Sequence, residues 1–146
     1  MSTVAEFIRL AATAVEQLST DYDSTVQQHG LAAARFNWSG YVLATLLPYL
    51  EEHGIDLMQS PYEALTTQLS RTRGATIFIF TPAHKSAYSD RLSPAQFSAD
   101  DLRDYFNEFN ETDEAEIGQA MLDGITSIRQ SLAGLDADSV ILFSIG

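Results

Sequence analysis

The chain of 146 residues is acidic: 20 aspartates and glutamates face 8 lysines and arginines, for a formal net charge of −12 at pH 7. This charge disfavours binding to nucleic acids and anionic membranes, and suits a basic protein partner. The absence of cysteine excludes disulfides, thiolate metal sites and cysteine nucleophiles. The length is typical of one domain, so we expect residues 1–146 to form a single globular domain that needs no metal or cofactor.

The beginning of the chain has neither the basic leader nor the unbroken apolar run of a secretory signal. No segment approaches the roughly 20 apolar residues that a membrane span needs. Together with the missing cysteines, these features predict a cytoplasmic protein.

The first predicted element is a helix over about 4–19. Thr3 and Glu6 fit a capping box, and apolar residues behind them repeat every three or four positions. A short helix over 24–29 follows, and Gly30 stops it. Residues 31–36 have the alanines of a helix. If the protein contains a strand besides the two described below, we expect it within 31–38.

The middle of the chain predicts two more helices. The first, over 39–53, contains Pro48, which predicts a kink or a break near Ala44 because proline clashes with the carbonyl four residues back. Trp38, the only tryptophan, is expected in the core at the start of this helix, with a contact surface formed by the aromatic residues beside Ser39-Gly40 as the alternative. Ser60-Pro61-Tyr62-Glu63 has the capping serine, the proline and the glutamate of a second helix start, and Gly74 ends that helix.

Two continuous apolar runs, near 75–81 and 139–144, predict strands that are buried on both faces. The helices between them can supply the long crossover of a parallel or mixed pair. The fold class is therefore α+β or α/β and helix-dominated, with about five to six helices around a small sheet. Unpaired sheet edges leave a shared sheet in a homodimer as an alternative to covering helices.

The residues between the two strands predict an irregular loop over 82–92 and helices over about 99–109 and 113–133. Ser98 is the expected cap of the first helix, and Gly134 ends the second. Asp113, Glu114 and Glu116 are expected in the first turn of the second helix, where the helix dipole favours anions.

The first candidate site is the acidic segment from Asp100 to Asp123, in which Asp100, Asp104 and Glu108 stack at i, i+4 and i+8 on the helix over about 99–109. Residues 98–146 contain eleven acids and two arginines, a net charge of −9. Like charges at i and i+4 destabilise a helix by about 0.2–0.5 kcal/mol per pair. A solvated face is the common explanation for such a helix, and a surface for a basic protein is the functional one. The partner-binding candidates are Asp100, Asp104, Glu108 and Glu111. The opposite face, expected to be buried, consists of Leu102, Tyr105, Phe106 and Phe109.

The second candidate site is the loop over 82–92, which follows the carboxyl end of a predicted strand, where ligands of open α/β sheets tend to bind. A histidine acts as an acid or base near neutral pH, and its basic neighbours can hold an anion. An ordinary polar surface loop is the alternative explanation. The ligand-binding candidates are His84, Lys85, Tyr88 and Arg91. His29 and His84 have no partner at a metal-ligand spacing, and His53 is expected at a helix end on dipole grounds.

The sequence contains no recognisable catalytic motif, which favours a binding role over an enzymatic one. The leading hypothesis is a small acidic module that engages or neutralises a basic protein partner, as immunity proteins, antitoxins and inhibitors do. One alternative is a small enzyme or ligand-binding domain that uses 82–92 for an anionic small molecule. Another is a structural or regulatory homodimer.

Overall fold

The computed structural model describes residues 3–146. In chain order, this part of the chain contains β1 (Ala5–Ala11), a 3₁₀ helix (Ala12–Ser19), α1 (Tyr22–His29), β2 (Leu31–Ala34), α2 (Gly40–Glu52), α3 (Glu63–Arg73), β3 (Thr76–Phe80), α4 (Pro82–Tyr88), two 3₁₀ turns (Ser89–Arg91 and Pro94–Gln96), α5 (Ala99–Asn110), α6 (Ile117–Ala133) and β4 (Ser139–Ile145). The expected helix-dominated α+β class is confirmed, with slightly more helices than predicted.

The four strands form one sheet in the order β2-β1-β4-β3, and every neighbouring pair is antiparallel. Two strands lie where the sequence predicted them, and β2 lies in 31–38, the region from which any further strand was expected. The other further strand, β1, lies outside that region. The prediction of a parallel or mixed pair is wrong. Phe80 at the end of β3 lies beside Ile141 near the start of β4. The helices between them therefore leave the sheet and return to the same end of it.

Both faces of the sheet are covered by helices. In β4, Ile141, Phe143 and Ile145 belong to a large core that also contains residues of α2, α5 and α6. Val140 and Leu142 point the other way, into a smaller core with the 3₁₀ helix and α3. The continuous apolar run of β4 is thus explained by burial on both faces, as the sequence predicted, although the sheet is antiparallel.

The predicted helix over 4–19 is wrong in its first half, which forms β1. This strand pairs with β4 along its whole length, from Ala5 opposite Ile145 to Ala11 opposite Ser139. Glu6 is an exposed strand residue, and no capping box forms around it. The energy of pairing and burial outweighs local helix propensity, which is a weak preference. The second half of the segment is helical, as the 3₁₀ helix.

The helix that contains Pro48 is not split, because α2 runs without interruption from Gly40 to Glu52. Its cap is Ser39, whose side chain accepts a hydrogen bond from the Tyr41 amide at 3.3 Å. Gly74 ends α3 in the left-handed region, with a φ of 64°, as the sequence predicted. A residue with a Cβ is strained in that conformation.

The segment 82–92 is mostly helical rather than an irregular loop, because Thr81 caps α4 and Pro82 begins it. The α5 prediction is confirmed, and the Ser98 hydroxyl accepts a hydrogen bond from the Asp101 amide at 3.3 Å. The last helix begins at Ile117, four residues later than predicted. Within residues 3–146, no helix combines the length and the apolar character that crossing a bilayer requires.

The start of α6 approaches the start of α5 closely at Gly118. A Cβ at this position would overlap the carbonyl group of Ala99. Because the obstacle is backbone, it cannot move aside as a flexible side chain would. The absence of a side chain at Gly118 therefore sets the distance between the two helices.

We expect Gly118→Ala to lower the free energy of unfolding by about 1–3 kcal/mol, as overpacking does in other cores. Alanine's better helix propensity, worth about 1 kcal/mol, offsets only part of this. Urea denaturation measures the change. Gly134→Ala is the matched control, because the atom nearest to a Cβ added at that position would be 3.7 Å away. Equal stabilities of the two variants would contradict the proposed steric limit.

Candidate functional site

His84 is buried, with 6% of its surface exposed. Its Nδ1 accepts a hydrogen bond from the Thr81 amide at 3.0 Å, and its Nε2 lies 2.7 Å from the Gln59 carbonyl oxygen. Since an amide only donates and a carbonyl only accepts, the ring is neutral and carries its proton on Nε2. Burial is the main cause that lowers the pKa of His84, against smaller opposing effects from Gln59 and Asp56.

Two other candidates of this segment bind main-chain oxygens at the ends of helices. Lys85 Nζ donates to the Leu135 carbonyl at 2.7 Å and to the Ala133 carbonyl at 3.3 Å, at the end of α6. Arg91 donates to the carbonyls of His53 at 2.6 Å and Gly54 at 3.0 Å, at the end of α2. Cations in these positions satisfy free carbonyls and the helix dipole.

The four ligand-binding candidates do not converge on one point. Tyr88 stacks on His84, with 6.1 Å between ring centroids, while Lys85 and Arg91 hold two different helix ends. None of the four lines either of the two large clefts that flank α5.

The acidic candidates on α5 differ in their surroundings. Arg103 lies between Asp100 and Asp104 and forms ion pairs with them at 3.3 and 3.1 Å. Glu108 and Glu111 are exposed, and neither forms an ion pair within residues 3–146. Glu111 ends the helix with a φ of 55°, a left-handed conformation that costs a residue with a Cβ about 1–2 kcal/mol.

Glu108 belongs to a cleft of about 640 Å³ between α5 and the second half of α2, here called the α5 cleft. Its lining residues are Pro48, Glu51, Glu52, Tyr105, Glu108 and Phe109. Phe109 is 56% exposed, so its predicted place on the buried face is wrong. The cleft combines an apolar floor with three carboxylates.

Tyr105 is the centre of an aromatic cluster along this cleft. Its ring meets Tyr49 edge-on at 5.0 Å and stacks on Phe109 at 5.8 Å. Burial, followed by the nearby Glu52 carboxylate, raises the pKa of Tyr105 to about 12. The phenol therefore remains protonated at neutral pH and is a hydrogen-bond donor.

A second, larger cleft of about 810 Å³ lies on the other side of α5, here called the Trp38 cleft. Its lining residues are Trp38, Ser39, Tyr41, Val42, Phe106, Asn110, Thr112, Glu114, Ala115, Glu116 and Ile117. Trp38 is 36% exposed and Tyr41 is 58% exposed. The prediction that Trp38 lies in the core is therefore wrong.

The walls of the Trp38 cleft are fixed by hydrogen bonds. The Trp38 indole N–H donates to Asp123 Oδ2 at 2.8 Å, and Gln119 donates to Asp123 Oδ1 at 2.9 Å. Asn110 Nδ2 donates to the Thr45 hydroxyl at 3.0 Å and so joins α5 to α2. An aromatic side chain that is both exposed and held in one orientation is suited to anchoring a partner.

The acidic loop, residues 111–116, forms one wall of this cleft. Asn107 Oδ1 accepts hydrogen bonds from the Thr112 hydroxyl at 2.8 Å and from the Glu114 amide at 3.0 Å. Because α6 begins at Ile117, the acids at 113 and 114 precede the helix, and their predicted place in its first turn is wrong. Glu116 occupies the cap position, but its side chain makes no capping hydrogen bond.

The Trp38 cleft was missed from the sequence, although two signals pointed to it. Trp38 and Tyr41 flank the capping residue of α2 at a spacing of three, which places both at one helix end. Four of the six residues 111–116 are acidic, and they come just before Gly118 in the sequence. Neither signal shows that the two segments meet, because that depends on tertiary packing.

Within residues 3–146, no group of three or more histidines and carboxylates is arranged to hold a metal ion. Comparison with protein families, with curated proteins and with solved structures finds no match for this chain. Function is therefore inferred from the geometry of the two clefts and from charge.

His84 predicts a pH-dependent stability. Because the pKa of His84 is lowered in the folded state, the unfolded chain binds the proton more tightly. The contribution of the neutral ring to the free energy of unfolding is therefore complete above about pH 6.5 and decreases as the pH falls below that value. We expect His84→Gln to be less stable at pH 7.5 and to show a flatter dependence on pH between about 5.5 and 7.5. Urea denaturation across this range measures both effects.

His29→Gln is the control for this experiment, because His29 is exposed. This variant should keep the pH dependence of the unmodified protein. If it flattens the profile as much as His84→Gln does, His84 is not the group responsible.

Proposed function

We propose that this protein is a binding module that engages or neutralises a basic protein partner. The observation that carries the proposal is that exposed aromatic side chains, those of Phe109, Trp38 and Tyr41, lie along both sides of α5 beside carboxylates that form no ion pair within residues 3–146. Phe109 and Tyr105 lie with Glu108 in the α5 cleft, and Trp38 and Tyr41 lie with the acidic loop in the Trp38 cleft. Aromatic anchors surrounded by charge are typical of protein-binding surfaces.

The distribution of charge supports a basic partner. Within residues 3–146, only Asp23, Asp100 and Asp104 form ion pairs with an arginine. Three of the eight basic side chains, those of Arg9, Lys85 and Arg91, donate to backbone carbonyls instead. The acidic side chains that no cation neutralises create a negative electrostatic potential. This potential speeds and orients the approach of a positively charged protein surface, and it repels polyanions.

The contacts around α5 refine which acids are suited to this role. Asp100 and Asp104 already share Arg103, so a partner would have to compete for them. Glu108 lines the α5 cleft together with Glu51 and Glu52, and the exposed ring of Phe109 adds an apolar surface to the same cleft. A lysine or arginine can lay its aliphatic stem on such a ring while its charged end meets the carboxylates.

A small-molecule role for 82–92 receives less support. The polar atoms of His84, Lys85 and Arg91 are engaged with backbone groups, and an anion would have to displace those hydrogen bonds. The homodimer hypothesis has no particular observation in its favour.

Charge reversal tests the proposal. The unmodified protein and a Glu52→Lys/Glu108→Lys variant are used to capture proteins from a lysate of the source organism, at low and at high salt. We expect a basic protein that is retained at low salt, is released at high salt and is bound at least tenfold more weakly by the variant, because two reversed charges at a binding surface cost about 1.4 kcal/mol or more.

Glu6→Lys/Glu16→Lys is the matched control, since it reverses two exposed charges in the layer of the molecule that carries the smaller core. It should capture the same basic protein as the unmodified chain. Capture that both double variants weaken equally would mean that net charge alone matters, and would contradict a binding surface at α5.

A further inference from the structure

We infer that the Trp38 cleft is an arginine-recognition pocket, which accepts one arginine side chain of an exposed segment of the basic partner. This inference rests on the proposed function, and it adds the chemistry that the partner must present. Three properties of the cleft favour an arginine side chain as its occupant: its aromatic walls, its net charge and the fixed position of its groups.

The walls favour a flat, cationic group. Trp38 and Tyr41 stand exposed at the cleft, and Phe106 contributes to its buried base. The faces of tryptophan and tyrosine rings attract cations, and an arginine guanidinium stacks on them more effectively than a lysine ammonium does. The Trp38 ring does not have to be ordered on binding, since its hydrogen bond to Asp123 already orients it.

The charge of the cleft is negative after the opposing effects are included. Two helices, α2 and α6, begin at its edge, and each N-terminus contributes roughly half a positive charge. Glu114 and Glu116 together supply two full negative charges, so the carboxylates prevail. Neither forms an ion pair within residues 3–146, since the neighbouring Arg103 is bound to Asp100 and Asp104.

Carboxylate geometry is the second reason to expect arginine. A guanidinium presents parallel N–H groups that a carboxylate can accept in pairs, whereas a lysine ammonium is a single point of charge. The hydrogen bonds of Asn107 to Thr112 and Glu114 hold the wall that carries these acids. A stacked and bidentate arginine therefore fits this cleft better than a lysine of equal charge.

The single tryptophan makes this inference directly testable, because all tryptophan fluorescence of the protein comes from Trp38. The probes are two synthetic peptides without aromatic residues, Gly-Ser-Arg repeated four times and its Gly-Ser-Lys counterpart. Binding is followed at low salt by the fluorescence anisotropy of a labelled peptide and by Trp38 emission.

We expect the arginine peptide to bind about three- to tenfold more tightly than the lysine peptide and to change Trp38 emission. Tyr41→Ala should remove most of the preference for arginine and leave the weaker binding common to both peptides. Leu31→Ala is the matched control, because Leu31 is equally exposed at 58% and does not line the cleft. This variant should keep the preference.

Three results would overturn the inference. If both peptides bind equally with no change in Trp38 emission, and Glu52→Lys/Glu108→Lys weakens both, the partner-binding proposal stands and the arginine pocket does not. If neither peptide binds, the pocket is likewise rejected, and the proposed function is then judged by the lysate capture alone. If arginine amide at the same arginine concentration changes Trp38 emission fully, the occupant is a free cation rather than a protein segment.

Discussion

The pairing of β4 with both of its neighbours is the interaction on which the rest of the structure depends. It joins β1 along seven residue pairs and β3 along five. Its side chains alternate between the two cores, so Phe143 packs on Phe7 and Phe80 in one layer while Leu142 faces the other. A slip of β4 by one residue would exchange the two sets of side chains, and each set would then have to fit the other close-packed core.

The position of the clefts follows from how the helices cover the larger core. Gly118 allows the beginnings of α5 and α6 to approach closely, and Asn110 joins α5 to Thr45 of α2. Held from both sides, α5 buries Leu102 and Phe106 and leaves a cleft along each flank. The clefts are therefore consequences of how these helices pack, and side chains that are already held in place lose less conformational entropy when a partner binds.

The sequence predicted those elements whose signals are local. The Ser98 cap, the left-handed Gly74 and the apolar runs of β3 and β4 each depend on a few adjacent residues, and each is found in the structure. It failed at β1, where a helical spacing of apolar residues also fits a strand once β4 is present as a partner. Helix propensities differ by less than about 1 kcal/mol per residue, so the seven residue pairs with β4 decide the outcome.

At the candidate sites too, the sequence identified single residues but not the neighbours that the fold brings to them. Glu108 could be singled out from its spacing on one helix, but its neighbours Glu51 and Glu52 come from a helix more than fifty residues earlier. The composition of 82–92 predicts versatile polar side chains, but it cannot show that His84, Lys85 and Arg91 hydrogen-bond to backbone groups of distant segments. Trp38 was expected to be buried because tryptophan usually is, whereas it is 36% exposed and its indole N–H donates a hydrogen bond to Asp123.

Several of the basic side chains bind helix ends and so do not neutralise the acidic surface. Arg9 and Lys85 both donate to carbonyls near the end of α6, and Arg91 donates to those at the end of α2. These cations stabilise helix C-termini, where the dipole is negative. The beginnings of the same two helices border the Trp38 cleft, where carboxylates rather than cations are found. Cations therefore bind the C-terminal carbonyls of α2 and α6, although Glu51 and Glu52 also lie at the end of α2. Where these two helices begin, carboxylates lie beside the exposed side chains of Trp38 and Tyr41.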